Sequence, residues 1–197
     1  MDRSTADGRR DYALLATMFN TGARVQEVID LRGRDLQLTR PCQLRLFGKG
    51  RKEHFCPLWP QTAQVLRSFC EERQIEIGSD ARVFLNHRGA PLTRFGVRYI
   101  LTKHIDRARP EVATLARKRL HPHSMRHSTA VALLKSGVDL STISQWMGHA
   151  SPTTTNRYAT IDLDMKRDTI DRVKAATGSG KAAWRTKETV LQWLESL

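Results

Sequence analysis

One segment decides the fold class: Gln43-Leu-Arg-Leu-Phe-Gly-Lys-Gly-Arg-Lys-Glu-His-Phe-Cys-Pro-Leu58. Its two ends, Gln43–Phe47 and His54–Leu58, alternate between apolar and polar residues with the period of a half-buried β-strand. Gly48-Lys-Gly50 lies between them and is typical of a turn, because glycine adopts backbone conformations that other residues avoid. Another short alternating segment, residues 35–38, precedes them. The sequence therefore predicts one small three-stranded antiparallel sheet.

On both sides of this segment the apolar residues recur every three or four positions, which is typical of amphipathic helices. Thr93 is a preferred residue for the N-cap of a helix, and Pro122 suits the first turn of another. Gly22 and Gly137 follow apolar patterns and predict helix ends. The predicted helices cover residues 11–19, 23–31, 61–76, 94–108, 122–135, 140–147 and 163–175, with a loop or short frayed helix at 109–120. The predicted fold class is mainly α with a small antiparallel sheet (α+β).

The C-terminal part of the chain is predicted to be separate from the main domain. Thr177-Gly-Ser-Gly180 has the composition of a flexible linker. Beyond it, four apolar residues share one helical face: Val190, Leu191, Leu194 and Leu197. So short a helix is marginal alone in water, and we therefore expect this face to pack against a protein surface. We predict one domain over residues 1–176, a linker over 177–183 and a docking helix over 184–197.

The chain is strongly basic, because 33 Lys and Arg against 20 Asp and Glu give a net charge of +13 and a pI of about 10.4. This excess favours a polyanionic partner, since every phosphate that is neutralised releases counterions. No secretory signal and no membrane-spanning apolar run is present, so we predict a cytoplasmic protein without a membrane partner. Cys42, Cys56 and Cys70 form no close pair, and we expect free thiols, although Cys42 and Cys56 flank the predicted hairpin.

Several residues have the side chains that phosphodiester cleavage without a metal requires. The reaction needs cations on two phosphate oxygens, a nucleophile and an acid, and the planar fork of arginine suits the first task. Arg24 is predicted at the start of a helix, where backbone N–H groups also favour an anion. His123 and Arg126 are three residues apart and share a helical face. His149 follows a predicted helix end, and Tyr158 lies nine residues further on.

A zinc site is the alternative for the histidines, of which His123 and His127 have the i, i+4 spacing of a helical zinc pair. No Glu lies between them as in the H-E-x-x-H motif, and Arg126 would place a positive charge beside the ion. A single arginine or tyrosine can equally be a solvated charge or a packed ring. From this pattern we predict neither a metal nor a cofactor.

The candidate residues lie in five blocks that resemble, in order, the signature blocks of the tyrosine recombinase (phage integrase) family. The blocks are Thr21-Gly-Ala-Arg24-Val-Gln-Glu27, Gly48-Lys-Gly-Arg-Lys52, Pro122-His-Ser-Met-Arg126-His127, Gly148-His149 and Tyr158. Each block is weak evidence alone, but five in the right order, with the family's usual interval between His149 and Tyr158, are specific. The resemblance extends from about residue 11 to residue 174 and implies that residues 1–176 are the catalytic domain of a DNA breaking and rejoining enzyme.

The resemblance implies a role for each matched residue. Arg24 and Arg126 match the pair that binds the scissile phosphate. Tyr158 matches the nucleophile, which would form a 3′-phosphotyrosyl bond. The stored energy of that bond would allow rejoining without ATP or a metal.

Four further roles follow from the same resemblance. Lys49 matches a hairpin lysine that protonates the leaving 5′ oxygen, a role for which Lys52 is a competing candidate. His123 matches a general acid–base, and His149 a residue that hydrogen-bonds the phosphate. Glu27 matches an acidic position that supports the site from behind the phosphate-binding residues.

DNA contacts beyond this set are expected from basic side chains near the site: Arg51, Lys52, His54, Arg94, Arg98 and Lys103. His54 departs from the family, whose members commonly have arginine there. A second departure is that only about ten residues precede the first predicted helix, so we expect the usual N-terminal clamp domain to be absent and DNA binding to be weaker.

The resemblance implies a site-specific recombinase or integrase of a mobile element that acts on double-stranded DNA at the nucleoid. It also implies self-association into a synaptic tetramer, with the C-terminal helix docked on a neighbouring subunit or on its own domain, and accessory recombinases. Two alternatives remain open: a DNA relaxer similar to type IB topoisomerases, and a non-catalytic DNA-binding regulator derived from an integrase. The complete set of candidate residues argues against the regulator.

Overall fold

The structure, a computed structural model, describes residues 1–48, 50, 52–115 and 120–148. The predictions for Lys49, Arg51, His149 and Tyr158 lie outside these residues, as do the predicted linker and docking helix. The chain divides into two units, Met1–Thr155 and Asn156–Leu197, and every element below belongs to the first.

The predicted antiparallel sheet is confirmed. It consists of β1 (Leu36–Gln37), β2 (Gln43–Phe47) and β3 (Glu53–Pro57), in the order β1-β2-β3. Leu44 pairs with Leu36 on one side and with Cys56 on the other, and all three side chains are buried. Phe55, the neighbour of Cys56, is exposed. The alternation in the sequence arises because only one face of the sheet packs on the core.

Six α-helices occur in the described residues: α1 (Ala6–Thr21), α2 (Val25–Ile29), α3 (Pro60–Glu72), α4 (Arg94–Ala108), α5 (Pro122–Lys135) and α6 (Leu140–Trp146). Thr93 caps α4 as predicted, since its hydroxyl accepts a hydrogen bond from the Gly96 N–H at 3.0 Å. Gly22 ends α1 with a φ of +59°. The mainly helical fold class is therefore confirmed.

Several helix boundaries differ from the prediction, and the largest differences are at the start of α1 and the end of α3. α1 begins five residues earlier than predicted, because the Thr5 hydroxyl caps it by accepting a hydrogen bond from Gly8 N at 3.1 Å. α2 ends at Ile29, two residues before the predicted end. α3 ends at Glu72 rather than residue 76, because Gln74 adopts a φ of +53°. In the segment predicted as a loop or frayed helix, the described part contains a single 3₁₀ turn, Ala113–Leu115.

The helix contacts bring distant parts of the chain together beside the sheet. α1 packs against α3 and α5, α2 packs against α4 and β2, and α6 packs against α5 and β3. The core between them includes Leu14 of α1, Leu66 of α3 and Phe84, whose ring stacks on Phe69 with centroids 5.7 Å apart. Through these contacts the end of α1 and the starts of α2 and α5 lie next to the β2–β3 hairpin. In the described part of the chain, no helix is both long and apolar enough to cross a membrane.

A buried carboxylate connects α1 to α4. Asp11 is fully buried, and its oxygens lie 2.7 Å from Arg10 Nη2, 2.8 Å from His104 Nε2 and 3.5 Å from Lys103 Nζ. Burial opposes ionisation, but hydrogen bonds with Arg10 and His104 outweigh it and hold the pKa of Asp11 below its ordinary value. Lys103, predicted to contact DNA, therefore pairs with Asp11 in this structure.

Candidate active site

The turn between α1 and α2 positions Arg24. Gly22 makes the turn possible, because its φ is +59° and an added Cβ would lie 2.9 Å from Met147 Cε. Arg24 follows as the N-cap residue of α2, and its backbone N–H donates to Glu27 Oε2 at 2.8 Å. The Arg24 guanidinium donates to Glu27 Oε1 at 2.7 Å. Glu27 is buried, with 3% of its side chain exposed against 36% for Arg24, so one buried acid fixes both the backbone and the charged group of Arg24.

Arg126 extends from α5 and joins three parts of the chain. Its Nη1 donates to the carbonyl of Gly22 at 2.5 Å, and its Nη2 donates to the carbonyl of Met147 at 3.0 Å. These acceptors follow the ends of α1 and α6. Backbone carbonyls cannot move independently of their helices, so the plane of the guanidinium is fixed by the fold.

Arg24 and Arg126 lie in one cleft of about 640 Å³, between the starts of α2, α4 and α5. The lining residues are Ala23, Arg24, Val25, Gln26, Arg94, Phe95, Arg98, His121, Pro122, His123 and Arg126. Four of them are arginines, and among the described residues no carboxylate lines the cleft. His123 is exposed, one helical turn before Arg126. Such a cleft is electrostatically suited to a polyanion.

The sequence of the chain matches a known protein family. The phage integrase family matches residues 1–165 of the chain. The chain belongs to this family, the tyrosine recombinases.

The family relationship extends to named relatives. The chain is 39% identical over its whole length to y4rC of Sinorhizobium fredii, which carries a provisional integrase/recombinase name, and covers 58% of that protein. It is 36% identical to the tyrosine recombinase XerC of Bacillus pumilus, with 85% of this chain and 55% of the relative aligned. It thus spans about half the length of the curated relatives it matches.

A solved structure shares the fold. The XerH site-specific recombinase, in a pre-cleavage complex with its difH substrate, superposes with a TM-score of 0.68 at 26% identity. The superposition covers 80% of this chain and 45% of XerH. The fold of the described residues is therefore that of a tyrosine recombinase catalytic domain.

The base of the β2–β3 hairpin lies beside the Arg24–Glu27 pair. A Cβ built on Gly48 would lie 3.6 Å from Glu27 Oε1 and 3.8 Å from Arg24 Nη1. Gly48 N donates to the carbonyl of Lys52 at 2.8 Å and closes the hairpin base. The side chain of Lys52 is exposed. The chain thus enters and leaves the hairpin tip next to the paired arginine and glutamate, while Lys49 and Arg51 lie outside the described residues.

The other predicted DNA contacts are divided between the cleft and its surroundings. Arg94 and Arg98 are exposed on the cleft wall, and Arg94 Nε donates to Gln26 Oε1 at 2.8 Å. His54 instead lies on β3 with its ring against Gly148. Lys103 is paired with Asp11.

Two cleft residues, Phe95 and His121, were missed by sequence reasoning as parts of the site. Phe95 is 84% exposed, and Tyr99, one turn further along α4, is 70% exposed. The doublet Arg94-Phe95 is the signal that could have revealed an exposed aromatic ring beside the basic side chains of the cleft. His121 caps the start of α5, and its ring centroid lies 6.1 Å from that of His123. Within the described ranges, no group of three or more potential metal ligands occurs.

Proposed function

We propose that this chain is the catalytic part of a site-specific DNA recombinase, which cleaves and rejoins double-stranded DNA through a 3′-phosphotyrosyl intermediate. The observation that carries this proposal is the cleft in which Arg24 and Arg126 are both anchored by protein groups. The relatives named XerC and the DNA-bound XerH structure support a DNA substrate.

The anchored arginines suit a phosphoryl transfer reaction. Negative charge on the non-bridging phosphate oxygens must be balanced in the transition state, and donors that are fixed beforehand need no reorganisation when the reaction occurs. Glu27 holds Arg24, and backbone carbonyls hold Arg126. The two guanidinium groups line the same cleft and are thus suited to bind one phosphate together.

In the proposed reaction the Tyr158 oxygen attacks the scissile phosphorus, and the bond from phosphorus to the 5′ oxygen breaks. Lys49 donates a proton to that 5′ oxygen, His123 acts as general acid–base, and His149 hydrogen-bonds the phosphate. A 5′ hydroxyl of a second strand then attacks the phosphotyrosyl bond and releases the tyrosine. The cycle conserves the number of high-energy phosphoester bonds, so it requires no ATP, and the arginines and Lys49 supply the positive charge that a metal ion would otherwise provide.

The proposed DNA partner also accounts for the basic residues around the cleft. We assign phosphate contacts to Arg94 and Arg98 on the wall, and to Arg51 and Lys52 on the hairpin. His54 and Lys103 would contact DNA only after a rearrangement, since one packs against Gly148 and the other pairs with Asp11. We further propose that the protein acts in the cytoplasm at the nucleoid, as a tetramer on DNA, with its C-terminal helix docked on a neighbouring subunit and accessory recombinases assisting.

The decisive experiment uses nicked suicide duplexes that carry inverted repeats, taken from the DNA that flanks the gene wherever such repeats occur there. The native protein should form a covalent protein–DNA adduct, and Tyr158→Phe should bind the same duplex without forming one. Absence of an adduct with the native protein on every duplex would contradict the enzymatic proposal and favour a regulator. Relaxation of a single supercoiled plasmid without recombinant products would favour the relaxer.

A further inference from the structure

The side chain of His54 extends from strand β3 of the hairpin to Gly148, which follows α6. Its backbone lies on β3, opposite Leu46, and its ring points toward Gly148. A Cβ built on Gly148 would lie 2.6 Å from His54 Cε1, 2.7 Å from Nε2 and 2.8 Å from Nδ1. Real Cβ atoms essentially never approach other atoms this closely. The imidazole therefore fills the volume that any side chain at position 148 would need.

The imidazole does not hold this place through hydrogen bonding at Nε2. That nitrogen is buried and has no hydrogen-bond partner among the described residues. An unsatisfied buried polar group costs about 1–3 kcal/mol, so hydrogen bonding there does not explain why a histidine stands here. The contact with Gly148 is steric, between a flat ring and the backbone of the glycine.

We propose that His54 is a positioning residue: its ring is a wedge against Gly148 that fixes the backbone of this glycine directly before His149. This role rests on the proposed function, in which His149 contacts the scissile phosphate. The segment before Gly148 is held as well, because Trp146 Nε1 donates to the carbonyl of Asn20 at 3.0 Å and Arg126 bonds the carbonyl of Met147. Among the described residues, His54 thus contacts the position directly before His149, the proposed phosphate-binding residue.

Burial and the charges around the ring favour its neutral form. Arg24 and Glu27 approach from the start of α2, and Arg126 approaches from α5. Burial lowers the pKa of His54 below its ordinary value; the two arginines act in the same direction, and Glu27 opposes them. A protonated ring would add a third cation behind Arg24 and Arg126 and would compete for Glu27, which holds Arg24 in place.

The first test separates shape from hydrogen bonding. His54→Phe keeps a flat ring that cannot be protonated, and His54→Ala removes the ring. The single-turnover rate of cleavage of a nicked duplex should fall ten- to a hundredfold in His54→Ala, because a misplacement of about 1 Å in a reacting group costs up to a hundredfold in rate. In His54→Phe the rate should stay within about threefold of the native rate. DNA affinity should change less than twofold in both. Equal loss of cleavage in the two variants, or a loss confined to affinity, would overturn the proposal.

The second test is a double-mutant cycle with a control from the same chain. Gly148→Ala introduces both a strained φ of +60° and the clash with His54, whereas Gly137→Ala introduces the strain alone, at a φ of +85° with nothing within 4 Å. Gly148→Ala should lower the Tm more than Gly137→Ala in the native background, and His54→Ala should abolish that excess. An excess that persists without His54 would refute the wedge. This arm needs no catalysis, so a failure of the proposed recombinase activity would be recognised separately.

Discussion

Replacing Glu27 tests whether the buried carboxylate organises the phosphate-binding cleft. It accepts two hydrogen bonds from Arg24, one from the backbone N–H at 2.8 Å and one from the guanidinium at 2.7 Å. Glu27→Gln keeps the size of the side chain and one acceptor oxygen, but removes the charge. Glu27→Ala removes both acceptors.

The expected loss in the free energy of unfolding follows from the two hydrogen bonds that Glu27 accepts. A hydrogen bond that caps a helix N-terminus contributes about 1 kcal/mol. A hydrogen bond to a charged group contributes about 1.5–3 kcal/mol, and the lower end applies because 36% of the Arg24 side chain is exposed to screening. We therefore expect the free energy of unfolding to fall by about 2–3 kcal/mol in Glu27→Ala and about 1–2 kcal/mol in Glu27→Gln. Cleavage should slow at least about tenfold in both, since the guanidinium of Arg24 is no longer aimed into the cleft.

Asp106→Asn is the matched control, because Asp106 also pairs with an arginine three residues away, but with 51% of its side chain exposed. Its free energy of unfolding should change by less than about 0.5 kcal/mol. Urea unfolding followed by circular dichroism measures all three variants, and single-turnover assays on a nicked duplex measure cleavage. If Glu27→Gln behaves like Asp106→Asn in both assays, the assignment of Glu27 as the support of Arg24 is wrong.

Three further predictions concern DNA binding, acid stability and thiol reactivity. Arg94→Ala should weaken binding to any duplex and lower the slope of log affinity against log salt by about 1 in anisotropy titrations, whereas the exposed Arg88→Ala, outside the cleft, should leave it unchanged. Burial opposes the ionisation of Asp11, but hydrogen bonding keeps its pKa below the ordinary value. The ionised Asp11 therefore stabilises the fold fully above about pH 4, and this contribution is lost as the pH falls through the folded pKa. The Tm of Asp11→Asn should depend less on pH in that range than the Tm of the native protein. Burial raises the pKa of the Cys56 thiol and raises that of Cys70 to about 11. Neither thiol should therefore react with iodoacetamide at about pH 8 until urea unfolds the protein. Rapid labelling of either cysteine in the native protein, detected by mass spectrometry, would contradict this.

The elements of the fold could be predicted where their signals are local. The boundaries of α4 were predictable because Thr93 is a capping residue directly before an apolar period of helical length. The start of α1 was not, since Thr5 precedes polar residues that show no apolar period. The end of α3 was missed because a positive φ at Gln74 is a conformation that the residue type does not announce.

The residues of the candidate site were likewise predictable only where their spacing in the sequence is local. That His123 and Arg126 share a helical face follows from their spacing. The bonds from Arg126 to Gly22 and Met147 span 104 and 21 residues, and no periodicity reports contacts of that kind. His54 was expected to contact DNA from its place at the end of the hairpin motif. Only the folded chain reveals that a glycine from the end of α6 approaches its ring.

The hydrogen bonds of Arg126 connect the stability of the fold around the cleft to the chemistry of the cleft. A guanidinium is a rigid plane, so donating to the carbonyls of Gly22 and Met147 determines how the whole group faces the cleft. A lysine at this position would be a point charge and could not be oriented in this way. Gly22 contributes through its φ of +59°, because a residue with a side chain is strained in that conformation and its Cβ would lie 2.9 Å from Met147 Cε. Arg126→Lys should therefore reduce both the free energy of unfolding and phosphate binding, whereas Arg98→Ala, at an exposed position on the cleft wall, should lower DNA affinity with little change in the free energy of unfolding.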